Sequence, residues 1–136
     1  MSRWVSVILA ALIVATTALV VSGHAKSVAK KKREIDYQSA LQKYSREIKP
    51  GSGRTEVENY LRSRNTAFTW AYTAYSARKE SQNADLVKIG QEAPPWYCSE
   101  AYVYVAFEFS PSGTLKQTSS DVLERIELFQ PDTGCL

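Results

Sequence analysis

Tyr102-Val103-Tyr104-Val105-Ala106-Phe107-Glu108-Phe109 is the stretch that decides the fold. Successive side chains of a strand point to opposite faces. Val103, Val105, Phe107 and Phe109 therefore share one side, and Tyr102, Tyr104, Ala106 and Glu108 share the other. The run is aromatic and β-branched and ends at Ser110-Pro111-Ser112-Gly113, so it reads as a strand followed by a turn.

On the carboxyl side, residues 114–121 read as a polar loop or irregular edge. Val122 to Phe129 then predicts a last strand, antiparallel to the first. On the amino side, Phe68, Trp70 and Tyr72 alternate with Thr69, Ala71 and Thr73, a period of two. The polar segment Arg78 to Ala84 reads as a turn. Asp85-Leu86-Val87-Lys88-Ile89 follows as a short strand, ended by Gly90 and the Pro94-Pro95 pair.

Two helices precede the strands. Tyr37, Leu41, Tyr44 and Ile48 recur at a 3.6-residue period among polar neighbours, which predicts an amphipathic helix of about 14 residues. Pro50-Gly51-Ser52-Gly53 ends it. Thr55 and Glu58 have the spacing of a capping box, so a second helix should open there, bury Val57, Tyr60 and Leu61, and end near Asn65. Neither helix can form a core alone. The fold class is α+β, with two N-terminal helices packed on one face of a three- or four-stranded antiparallel sheet.

The segment Ile48-Lys49-Pro50-Gly51-Ser52-Gly53-Arg54-Thr55-Glu56-Val57-Glu58-Asn59-Tyr60-Leu61 resembles the helix–turn–helix opening of small bacterial envelope domains. These are the BamE-like domains (SmpA or OmlA) and the β-lactamase-inhibitor-protein-like fold. The likeness in element order covers about residues 35–130. It implies two helices leading into an antiparallel sheet, and a place in the cell envelope. The chain departs from the pattern in two respects. Arg62-Ser63-Arg64-Asn65 stands where the family carries Gly-x-Pro, and the lipid-bearing cysteine of the assembly lipoproteins is missing.

Residues 4–21 carry no charge and only Ser6, Thr16 and Thr17 as polar interruptions. About 20 apolar residues span a hydrocarbon core. Gly23-His24-Ala25 also forms a small-x-small site at which an export signal could be removed. Residues 1–25 are thus a signal peptide cleaved near Ala25, or a single-pass anchor. The cations after the run favour a cytoplasmic domain, whereas the cleavage site and the cysteines favour an extracytoplasmic one, periplasmic or secreted. Residues 26–34 read as a flexible basic tether, with contact to anionic lipid as one possible use. Residues 35–136 are left as a single domain.

The two cysteines, Cys98 and Cys135, are too far apart for a redox motif and too few for a zinc site. They read as one disulfide in an oxidising compartment, with two buried thiols as the alternative. Closing a loop of about 37 residues stabilises by roughly 4 kcal/mol in the chain-entropy view.

The chain carries 17 Lys and Arg against 14 Asp and Glu. One of those cations precedes the apolar run, and five lie within residues 26–33, which hold no acid. The remaining domain is mildly acidic, which argues against a nucleic-acid partner.

Little in the sequence speaks for catalysis, and no cofactor or metal is expected. His24, the only histidine, lies in the leader, so Ser-His and Cys-His pairs and histidine-ligated metals have no basis. Ser-x-x-Lys occurs at Ser76–Lys79 and again at Ser27–Lys30 in the basic segment, without the partner motifs of serine-lysine hydrolases. That enzyme class is the remote alternative.

Binding is the expectation that remains. Aromatic side chains concentrate in Phe68, Trp70, Tyr72, Tyr75, Trp96, Tyr97, Tyr102 and Tyr104. If the helices cover one sheet face, alternation leaves Tyr75, Tyr102 and Tyr104 on the other. Tyrosine and tryptophan are enriched at binding hot spots. A protein–protein interaction module with an envelope partner is the first reading, and recognition of a cell-wall glycan or peptide is the second.

Overall fold

A computed structural model describes the backbone of residues 3–74, 81–110, 117–131 and 133–135, and the side chains of 25–71, 83–110 and 117–131. Two compact units result, Met1–Asp36 and Tyr37–Leu136. Helix α1 is Arg3–Glu47, and α2 is Arg54–Ser63. Six strands follow: β1 Thr69–Ala74, β2 Ser81–Gln91, β3 Cys98–Glu100, β4 Tyr102–Ser110, β5 Val122–Phe129 and β6 Thr133–Cys135. The fold is α+β.

β1, β2, β4 and β5 form one antiparallel sheet in the order β1-β2-β4-β5, and β3 pairs with β6 in a second. Across the larger sheet, Val87, Val105 and Leu128 stand in one cross-strand row, and Asp85, Phe107 and Ile126 in the next. The core is built on this face from Ile48, Val57, Leu61, Val87, Val105, Phe107, Phe109 and Leu123. Leu41 and Tyr44 of α1 pack against it, and the Tyr44 ring meets Phe107 edge-on at 5.4 Å. The 3.6-residue stripe and the two-residue alternation thus meet at one interface. Burial of that much apolar area is the main term holding the layers together.

Several local expectations need correction. Residues 26–34, read as a flexible tether, are helical in α1. No glycine or proline stands between Ala25 and Lys49, and Ala, Lys, Arg and Glu are strong helix formers. The Thr55–Glu58 capping box does not form: α2 begins at Arg54, with Gly53 as N-cap and no side-chain cap. Instead the link lies along β5. Gly51 N–H donates to Leu123 O, Leu123 N–H to Ser52 O, and Arg54 N–H to Asp121 O. At its other end, α2 closes on Asn65 in the left-handed conformation (φ 53°). Thr66 N–H donates to Leu61 O and Asn65 N–H to Arg62 O, the Schellman pattern.

The segment ending at Ala84, read as a turn, already belongs to β2 from Ser81. β2 and β4 shift register between Lys88 and Gly90. Beside that irregularity the Tyr37 ring lies so close to Gly90 that a Cβ there would come within 2.5 Å of it. Tyr37 donates its hydroxyl to Glu92 at 3.0 Å, which fixes the first residue of the apolar stripe to the end of β2.

The apolar run at 4–21 lies outside the residues whose side chains are described. Among the described residues no helix is long and apolar enough to cross a membrane.

Candidate binding surface and buried polar network

The inner sheet face carries an unexpected polar centre. Arg54, the first residue of α2, is 2 % exposed and lies over the Phe109 ring at 3.9 Å. Its guanidinium donates from Nη1 to Asp85 at 2.8 Å, from Nε to Asp121 at 3.1 Å and from Nη2 to Asn83 at 2.5 Å. Asn83 Oδ1 also accepts from the Trp70 indole, and Asn83 Nδ2 donates to Asp121. Asp121 further accepts from the backbone and the hydroxyl of Thr118. A planar five-donor group suits this role, because it can serve three acceptors at fixed angles.

The two carboxylates on Arg54 behave differently. Burial pushes Asp85 up to about 6, against the pull of Arg54, and Asp85 Oδ2 has no hydrogen-bond partner among the described residues. Burial also works to raise Asp121, but the bonds from Thr118 and Asn83 and the charge of Arg54 outweigh it and hold the group below its ordinary value. This centre joins α2, β1, β2 and the loop before β5. A shallow polar pocket of about 260 Å³ lies beside it, lined by Arg54, Thr55, Glu58, Gln117, Thr118 and Ser119. Gln117 and Arg62 both donate to Glu58 there, so the acid is occupied by its own neighbours.

The other sheet face carries the tyrosines singled out from the sequence. Tyr102 and Tyr104 are half-buried, with ring centroids 6.3 Å apart, and Tyr104 lies at the same distance from Phe129. The Lys88 ammonium stands 3.4 Å from the Tyr102 ring centre. Tyr75 lies outside the described residues, as do Ser76–Lys79. The face is not bare: Ala84, Ala106, Glu108 and Phe129 are buried there, so Tyr104 belongs partly to a packed cluster and Tyr102 forms its rim. Glu108 pairs with Arg125, which also reaches Glu127 at 3.7 Å. Burial, a hydrogen bond to Glu127 and that neighbour's charge push Glu108 up to about 7.

Among the described residues, the most exposed aromatic pair lies next to β3. Trp96 is 93 % exposed and Tyr97 is 45 % exposed, with rings 5.6 Å apart and crossing at 88°. Pro94-Pro95 precedes them, and Cys98 N–H donates back to Pro95 O at 2.9 Å. Cys98 is disulfide-bonded and stands opposite Cys135 in the β3–β6 ladder. The sequence placed Trp96 and Tyr97 among the aromatic residues but gave no strand period to assign them a face.

Among the described residues no group of three or more His, Cys, Asp and Glu side chains could hold a metal ion. Comparison with protein-family models, with curated proteins and with solved structures gave no match.

Proposed function

We propose that residues 35–136 form a non-catalytic binding module of the cell envelope. It docks a partner protein on the Trp96-Tyr97 turn and on Tyr102, which follows in sequence. The observation that carries this reading is Trp96, a large apolar ring left almost wholly in water. Such a ring gains free energy when a partner desolvates it, and tryptophan dominates interface hot spots. The turn that bears it is stiffened by two prolines and a disulfide-bonded strand. A preformed display loses less conformational freedom on binding. The disulfide state of Cys98 supports an oxidising, extracytoplasmic setting. The crossed rings offer a protruding edge suited to a pocket on a protein rather than a flat platform for a sugar.

The test is in-envelope cross-linking of the intact chain, followed by reconstitution of the captured complex from purified components. Trp96→Ala and Tyr102→Ser should each weaken that complex at least tenfold and leave the melting temperature within a few degrees of wild type. Tyr104→Ser is the wrong probe, because its ring also packs on Phe129. Undiminished affinity in both variants would overturn the reading.

A further inference from the structure

Residues 26–33, Lys-Ser-Val-Ala-Lys-Lys-Lys-Arg, hold five cations and no acid and are helical within the unit Met1–Asp36. At about 100° per residue, Lys26, Lys30 and Arg33 fall on one side of the helix. Lys31 and Lys32 fall on the opposite half, about 100° from each other. Positive charge therefore surrounds the axis. A helix lying flat on a membrane segregates its cations to one face, whereas a helix that emerges from a bilayer meets headgroups on all sides. The lysines of this segment are exposed. Val28 and Ile35 are also exposed, at 54 % and 56 %.

The spacing fits the same geometry. Eighteen uncharged residues in a helix run about 27 Å, close to the ~30 Å hydrocarbon core. From Val21, Lys26 lies about 8 Å further along the axis and Arg33 about 18 Å. The first is at headgroup depth. The others are within reach of the surface through their long side chains and a screening length of about 8–10 Å.

We propose that α1 is retained as an anchor, and that Lys26–Arg33 is a cationic collar that gathers anionic phospholipid headgroups around the emerging helix. The collar concerns where the module is held, and is separate from the partner bound at Trp96.

The intact chain, purified in detergent, would be titrated with phosphatidylglycerol and with phosphatidylcholine and read by native mass spectrometry. A 20-base-pair DNA duplex would form a third arm. Phosphatidylglycerol should be retained at least tenfold over phosphatidylcholine. The variant Lys30→Gln/Lys31→Gln/Lys32→Gln should lose most of that preference, as should wild type in raised salt. Equal retention of the two lipids, an undiminished preference in the triple variant, or tighter binding of the duplex would each overturn the collar. So would a native protein whose amino terminus is Lys26. Each of those results leaves the Trp96 reading standing, and loss of partner binding at Trp96 leaves the collar standing.

Discussion

Arg54 shows how a single residue sets the character of the domain. A buried guanidinium is tolerable only while its acceptors surround it, and here Asn83, Asp85 and Asp121 do so. Replacing Arg54 with methionine would fill similar space but leave Asp85 and Asp121 facing each other without a cation. We expect a loss of about 3–5 kcal/mol in urea denaturation, the usual cost of breaking a buried pair from one side. Arg54→Lys should recover only part of it, since an ammonium lacks the planar fork. Two other residues govern the response to pH. Glu108 and Asp85 keep their protons to about 7 and about 6, above the ordinary 4.5 and 3.8. The folded chain thus binds these protons more tightly than the unfolded chain. Stability should fall as pH rises from about 4.5 to 7. Asp121 acts in the opposite sense, losing its contribution only as pH falls below the ordinary carboxylate range. Thermal melts from pH 4.5 to 8 should show this decline, and Glu108→Gln should flatten its upper part. A Glu108→Gln profile identical to wild type would show that the acid does not hold its proton.

At the scale of elements, the apolar patterns were legible and the polar ones were not. The strands at 102–109 and 122–129 and the Tyr37–Ile48 stripe could be read directly, because the periods of 2 and 3.6 are written in large apolar side chains. β2 was read six residues too short, four at its start and two at its end. Asn83 looks like a turn residue, yet it is 1 % exposed because Arg54, Trp70 and Asp121 satisfy its amide. No local pattern announces a partner 29 or 38 residues away. The start of α2 misled for the same reason: its backbone is satisfied by Asp121 and its side chain by β2 and the loop before β5, so Thr55 is not needed as a cap. The β3–β6 pair was invisible because each strand has only three residues. The tie between α1 and β2 gives an element-scale prediction. Gly90→Ala forces a methyl group against a ring already fixed by Glu92. It should cost about 1–3 kcal/mol in chemical denaturation. In the background Tyr37→Ala the same change should cost clearly less, since the two sites couple. Full additivity would mean that the ring moves aside freely.

Across the whole molecule, the apolar face of one four-stranded sheet is matched to two helices, while the opposite face mixes buried and half-buried groups. The Trp96-Tyr97 turn stands apart from both, beside a separate two-stranded ladder. That separation would let the turn proposed as the docking element vary without disturbing the core. The Arg54 centre has a further consequence, which concerns time. Its acceptors lie 29, 31 and 67 residues downstream. During synthesis α2 is made early, yet the residue that opens it has no home until Asp121 has left the ribosome. Until then a buried position for its guanidinium would leave a charge without its full set of acceptors, which is costly. Non-local pairing of this kind slows folding. The buried centre therefore cannot be completed until the fifth strand has begun to appear.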